Sequence, residues 1–207
     1  MILHCFQFAA AGFSVSNDFN ASSFKMLRQT HSSNGFILED RAGDEGDWLA
    51  TYREGEGIAV KVADCTAILM EGESTKGRFV AAIHAGWRGT ALNIVSTALD
   101  RLKPIRDLRC WLSPSICQSH FEVGGDVLEA LDAKAGSFTK KSSVSGKWLL
   151  DLKGLQVQML KEVAPNDSQF FSSPLCTFCQ PEFFSYRQAK AQLPAGHRHY
   201  AWIKLLR

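Results

Sequence analysis

Two stretches, "TAILM" (66–70) and "RFVAAIHA" (78–85), run almost without polar interruption. Successive side chains of a strand point to opposite sides of the sheet, so a half-exposed strand alternates polar and apolar residues. Strands apolar on both sides belong to a sheet that is covered on both faces. "GIAVKVA" (57–63) and "LRCWL" (108–112) read as further strands, "HYAWIKLLR" (199–207) as a closing strand, and "MILHCFQFAAAGF" (1–13) as a first one.

The period then changes. From Thr90, the residues Ala91, Ile94, Val95, Ala98, Leu99 and Leu102 follow helical spacing and predict one helix ended by Pro104. Leu152, Leu155, Met159, Leu160 and Val163 make a second stripe, stopped by Pro165, and "FEVGGDVLEALDA" (121–133) holds a third helix. The polar, small-residue segment Ala135 to Lys147 reads as a loop. Helices interleaved with strands predict an α/β (α+β layered) domain of mixed sheets covered by helices. A chain of 207 residues, 45% hydrophobic, can bury one such core, so residues 1–207 are expected to form a single domain.

Charge narrows the partners. With 23 basic and 21 acidic residues and no long basic run, neither nucleic acid nor an anionic membrane is expected, which leaves a small molecule. The apolar N-terminal stretch lacks a positively charged leader, and no run approaches the roughly 18 apolar residues of a membrane span. Six cysteines without an export signal are expected as thiols in a cytoplasmic protein. Nothing in the sequence speaks to oligomeric state.

Three positions offer a soft ligand or nucleophile beside a turn: His31 in "RQTHSSNG", Cys65 in "VADCTAIL" and His84 in "AAIHAGWRGTA". Two imidazoles and a thiolate suit zinc, and three protein ligands leave a fourth position for water or substrate. No short metal motif supports that choice, and a buried structural cysteine with satisfied histidines fits the same spacing. Cys65 and His84 also suit a thiolate–imidazole pair with cysteine as nucleophile, His31 then being a bystander. In "HAGWRG", Gly86 and Gly89 can adopt backbone conformations closed to other residues. Arg88 can then hold a phosphate at the start of the following helix, and Trp87 can stack a heterocycle. The plain alternative is Trp87 in the core and Arg88 in a surface ion pair.

Other residues are less directed. "CTFC" (Cys176 and Cys179) has no second CxxC, so a closed Cys₄ site would need Cys110, Cys117 or Cys5; otherwise these thiols line the core or the site wall. Of six histidines, His4, His120, His197 and His199 lie in segments apart from the three candidates, too few for the several His-rich sites of a multicopper oxidase. Copper is therefore the weaker metal.

"VADCTAIL", "AAIHAGWRGTA", "LSPSICQSHFEVG", "LLDLKGLQVQML" and "LCTFCQPEFFSYR" occur in an order that resembles the signature blocks of the bacterial laccase-domain family (YfiH/YlmD type, also called polyphenol oxidases), over roughly residues 25 to 207. The resemblance implies a fold similar to that of a group of Cys–His hydrolases, and zinc held by His31, Cys65 and His84. It implies purine nucleoside phosphorolysis and adenosine deamination, with phosphate attacking C1′ of the ribose or activated water attacking C6 of the base. Cys65, His84 and Arg88 are then the catalytic candidates, and Trp87 and Arg187 bind substrate, with Tyr186 facing the same pocket. Asp64 is either a partner that orients a ligand or a turn carboxylate, and Glu122 is placed to cap the next helix. Editing of a wrongly built amide in cell-wall precursors is a further activity linked to the family.

The chain departs from the family pattern at Thr30 and Ser32 in the first block, and at Ser113 and Cys117, which replace glycines. Gln188 replaces a second arginine after "FFSYR", Arg198 stands in "GHR" where the family has Gly-Arg, and the segment before Arg28 is short. Loss of that arginine is expected to weaken phosphorolysis if it helps to hold phosphate.

Overall fold

The computed structural model describes residues 2–3, 5–15, 19–40, 43–189 and 197–207. The covered sheet expected from the apolar runs has six strands. In chain order its members are β3 (Gly35–Ile37), β4 (Trp48–Thr51), β6 (Thr66–Ser74), β7 (Gly77–Ala85), β8 (Ile105–Leu112) and β12 (Gln169–Ser172). Their spatial order is β12-β8-β6-β7-β4-β3, with parallel pairing at the two outer pairs and antiparallel pairing between.

One face of this sheet, with Ile68, Met70, Phe79, Ala81 and Ile83, packs on α2 (Ile94–Leu102) and on Leu160 of α4 (Leu152–Val163). The other, with Ala67, Leu69, Val80 and Ala82, packs on a second sheet. That sheet runs β1 (Ile2–Leu3), β2 (Ala9–Val15), β13 (His199–Leu205), β5 (Gly57–Val62), all antiparallel, and contributes Ala11, Phe13, Val60, Ala201 and Ile203 to the shared core. The layers are therefore sheet, sheet, helix. Each large aliphatic side chain wholly enclosed in these layers contributes about 1.5–3 kcal/mol. A smaller antiparallel sheet joins β9 (Glu122–Val123), β10 (Thr139–Lys141) and β11 (Trp148–Leu150) in the order β10-β11-β9 and packs with α3 (Gly125–Leu131).

Four expectations change. The single helix from Thr90 is two: α1 (Trp87–Ala91) stops, and α2 begins after Asn93, whose left-handed backbone (φ +58°) ends the first turn. Leu92 at the break is exposed. The polar 135–147 segment is not all loop, because Thr139–Lys141 pairs with β11 and Ala135 is buried. The N-terminal stretch is a hairpin, Ile2 pairing with Gly12 and Leu3 with Ala11; Met1 and His4 lie outside the described residues. Glu122 caps nothing: α3 is preceded by Gly124, and the Glu122 carboxylate accepts a hydrogen bond from Ser142 Oγ at 2.6 Å. Among the described residues no helix is long and apolar enough to cross a membrane.

Candidate functional site

The hairpin register builds the site. Thr66 pairs with Ala85 and Ala67 with His84, so Cys65, one residue before β6, lies beside Gly86, one residue after β7. His84 shares the alternation of Val80 and Ala82, so its ring points to the side of the second sheet, at the end of the sandwich. His31 enters from the loop before β3. Donor atoms of His31, Cys65 and His84 lie within 4.8 Å of one another, and the two imidazoles meet edge to face with centroids 4.8 Å apart.

Asp47, which sequence reasoning missed, organises this cluster. It is wholly buried just before β4, and its carboxylate accepts hydrogen bonds from the backbone amides of Thr30 (3.2 Å), His31 (3.0 Å) and Ser32 (2.6 Å) and from Ser32 Oγ (2.8 Å). The same carboxylate holds His84 Nδ1 at 2.8 Å, leaving Nε2 as the nitrogen that faces the cluster. His31 needs this help, because its backbone is left-handed (φ +60°), which a non-glycine residue adopts only when its surroundings enforce it. The available signal was an acidic residue directly ahead of the buried run "WLAT".

Electrostatics follow from the same contacts. Burial opposes charge on Asp47, but hydrogen bonds from His84 and from the Ser32 amide and hydroxyl hold its carboxyl well below the usual carboxylate range. Burial also raises the Cys65 thiol, yet the His84 charge and hydrogen bonds from His31 and His84 bring it down to about 6. His84 loses by burial and gains more from Cys65 and Asp47, which push it up to about 9. Both shifts favour a thiolate beside an imidazolium.

Gly86 is required for space rather than for its backbone angle, since its φ is an ordinary −78°. A Cβ there would stand 3.1 Å from Cys65 Sγ, 3.5 Å from His31 Cδ2 and 3.8 Å from His84 Nε2. A Cβ on Gly89 would stand 3.0 Å from the Ser32 carbonyl. The expectation of special backbone conformations is corrected here: both glycines keep α1 tight against the donors. Two nitrogens and one sulfur at this spacing, with His31 exposed on the outer side, could hold a metal ion through three protein ligands.

The remaining candidates surround the cluster unequally. Arg88 is exposed, with its guanidinium 4.4 Å from the Trp87 ring centre, and among the described residues it has no ion-pair partner. Trp87 is half-buried against the core formed by α3 and the small sheet, and Arg88 covers one ring face where a heterocycle was expected. Arg187 donates from Nη1 to the Glu122 carbonyl at 2.8 Å and lies over the Phe121 ring. Tyr186 is exposed. Asp64 makes no hydrogen bond to His31, Cys65 or His84; instead it accepts from Thr177 Oγ1 (2.6 Å), Ser185 Oγ (3.0 Å) and the Arg187 amide (2.7 Å), pinning the 177–187 segment beside Cys65.

Residues 10–205 match the profile of the family described as multi-copper polyphenol oxidoreductase laccase. The purine nucleoside phosphorylase YfiH of Shigella flexneri is 35% identical over 173 residues, which cover 79% of this chain and 68% of that one. Adenosine deaminase RL5, from an unknown prokaryotic organism, is 30% identical over 182 residues, covering 79% and 69%. The crystal structure of the Bacillus licheniformis hypothetical protein YfiH superposes with a TM-score of 0.80 at 22% identity, over 95% of this chain and 92% of that one, and so shares the fold.

Proposed function

This chain belongs to the laccase-domain family, and from that premise we propose that it is a zinc-dependent enzyme acting on purine nucleosides, by phosphorolysis and by adenosine deamination. One observation carries the reading: His31 from the loop before β3, Cys65 from the turn before β6 and His84 from the end of β7 converge, with Asp47 fixing His84 and Gly86 leaving room beside the donors. The names of the phosphorylase and deaminase relatives supply the substrate class.

Zinc held by His31, Cys65 and His84 would supply a Lewis acid, which lowers the pKa of water towards about 7. The chain's own residues do the rest. Asp47 keeps the His84 proton on Nδ1, so that Nε2 stays a ligand. Arg88, which has no anionic partner among the described residues, holds phosphate as its oxygen bonds to ribose C1′ while the C1′–N9 bond breaks and its electron pair leaves with the purine. In deamination, water adds at C6 and the amino group departs as ammonia. Arg187, engaged by the Glu122 carbonyl, acts as a strut for the wall rather than as the phosphate ligand.

The family description names copper, but one thiolate and two imidazoles make a single site rather than a multicopper cluster. A second reading has an observation of its own: Cys65, His84 and Asp47 stand in the order of a nucleophile, base and orienting acid, with the thiol drawn to about 6. That arrangement serves a Cys–His amidase, for example on a cell-wall precursor.

Zinc content, measured beside adenosine and inosine turnover with and without phosphate in the native protein and Cys65→Ala, separates the two readings. Turnover that disappears with chelator and returns with zinc supports the proposal. Nucleoside turnover persisting in the metal-free protein would overturn it, and amide hydrolysis without metal would favour the hydrolase.

A further inference from the structure

A second group of donors lies on the far side of Asp64. Leu112 ends β8 and Ser172 ends the parallel neighbour β12, so the loops that follow leave the sheet side by side. One carries Cys117-Gln-Ser-His120 and the other Cys176-Thr-Phe-Cys179, and a bridge between Ser115 and Cys176 aligns them. The donor atoms of Cys117, His120, Cys176 and Cys179 all lie within 4.8 Å of one another. His120 Nδ1 is 3.2 Å from Cys117 Sγ and 3.4 Å from Cys179 Sγ.

We propose that Cys117, His120, Cys176 and Cys179 hold a second, structural zinc ion. Four donors in two short knuckles, CxxH and CxxC, fill a tetrahedron and leave no position for substrate, which is the mark of a structural rather than a catalytic site. The surroundings suit thiolates: the Cys117 amide donates to Cys176 Sγ at 3.2 Å, and the amides of Phe178 and Cys179 also hydrogen-bond to that sulfur. Phe178 stacks on the His120 ring at 4.2 Å and 15°, fixing the plane of the imidazole. All six cysteines are free thiols, so the set is available as ligands, and binding releases the three thiol protons. Neither Cys110, enclosed in the core, nor Cys5 belongs to the set; His120 takes the place a fourth cysteine would have had.

The ion has a definite task. Thr177 lies inside the CxxC knuckle and donates to Asp64, which the Ser185 hydroxyl and Arg187 amide also reach. Closing the knuckles around zinc fixes the start of the segment that walls the His31, Cys65 and His84 cluster. The inference does not rest on the nucleoside reading.

The test is elemental analysis of the full chain and its variants, each purified under reducing conditions with zinc present. The native protein is expected to carry about two zinc ions, and Cys65→Ala with His84→Ala about one. Cys179→Ser and His120→Ala should each lose one ion, whereas His120→Cys keeps both because it makes a Cys₄ set. Cobalt bound to the Cys65→Ala, His84→Ala protein should show a tetrahedral, thiolate-rich spectrum. If Cys179→Ser does not fold, that double variant and His120→Cys still decide. No metal in the double variant, an unchanged count in Cys179→Ser, or a disulfide within the set in protein given reductant and zinc would overturn the proposal. One ion lost with Cys179 but kept without Cys65 would sustain this site and sink the catalytic one.

Discussion

Asp47 and His84 are joined twice: the Asp47 carbonyl accepts the His84 amide at 2.7 Å, and the Asp47 carboxylate holds His84 Nδ1 at 2.8 Å. The backbone contact sets where the histidine stands, and the side-chain contact sets which way its ring faces. The same carboxylate gathers the His31 and Ser32 amides, so one buried charge positions two of the three donors.

Asp47→Asn keeps the volume but loses the charge that complements the ring and the amides. Zinc affinity at the His31, Cys65 and His84 cluster should fall about 10- to 100-fold. Asp47→Ala should cost more, about 3–5 kcal/mol of folding stability, because it leaves the buried His84 imidazole and the amides of residues 30–32 without their acceptor. Competition titration with a chelator and denaturant unfolding measure the two effects. Wild-type affinity in Asp47→Asn would remove the carboxylate from the account.

Gly86→Ala places a methyl group 3.1 Å from Cys65 Sγ at an ordinary backbone angle, so the strain falls on the donors and not on the turn. Turnover should drop by about tenfold or more, as small misplacements of reacting groups do, while the melting temperature moves little. Steady-state kinetics beside a thermal melt read both quantities, and a fully active variant would show that the space Gly86 leaves beside the donors is not needed.

Much of this was legible in the sequence, for a physical reason. Ile68, Met70, Ala81 and Ile83 face helices while Leu69, Val80 and Ala82 face a second sheet, so residues 67–70 and 79–83 are apolar on both sides and the runs announce themselves. His31, Cys65 and His84 stood out as soft donors beside turns, and they do come together. Asp47 did not stand out, since an acid before a strand is common and its partner lies 37 residues away. His120 was passed over as an isolated histidine because its partners Cys176 and Cys179 become neighbours only through the parallel pairing of β8 and β12. The break at Asn93 is likewise invisible to an apolar stripe that continues across it.

The Cys65 and His84 shifts give opposite pH dependences in the metal-free protein. His84, raised to about 9, stabilises the fold fully below its ordinary 6.5 and loses that contribution as pH rises through about 9. Cys65, lowered to about 6, stabilises above its ordinary 9.0 and loses the contribution as pH falls through about 6. Between roughly pH 6.5 and 9 the pair binds one proton folded and one unfolded, so its effects cancel and stability from this source is flat. Zinc binding behaves differently. In that window it displaces the His84 proton, and below about pH 6 the Cys65 proton as well, so this pair makes affinity fall about tenfold per pH unit and then more steeply. Chelator competition at several pH values, with Cys65→Ala as the reference for the other cluster, checks the slope.

Asp64→Asn should loosen the site wall without touching a donor. Its carboxylate receives two hydroxyls and an amide from the 177–187 segment, and a neutral amide cannot accept all three as well. KM for nucleoside should rise while zinc content stays at the native level. Loss of zinc in this variant would instead make Asp64 part of the metal environment.

Arg88 separates the two proposed reactions. Phosphorolysis needs an anion held against C1′, whereas deamination needs only water at C6, so a residue that serves phosphate should matter to one and not the other. Arg88 is exposed and lies against Trp87, and its charge is not neutralised by a carboxylate among the described residues. Arg187, the other cation expected to help, spends a donor on the Glu122 carbonyl, and Gln188 supplies no charge beside it. Arg88→Gln should therefore lower phosphate-dependent inosine cleavage by about 10- to 100-fold, the worth of one charge-assisted contact. Adenosine deamination, followed as ammonia release without phosphate, should change by less than about threefold on the same reasoning. Equal loss of both activities would place Arg88 at the nucleoside itself rather than at phosphate, and loss of neither would return the phosphate to Arg187.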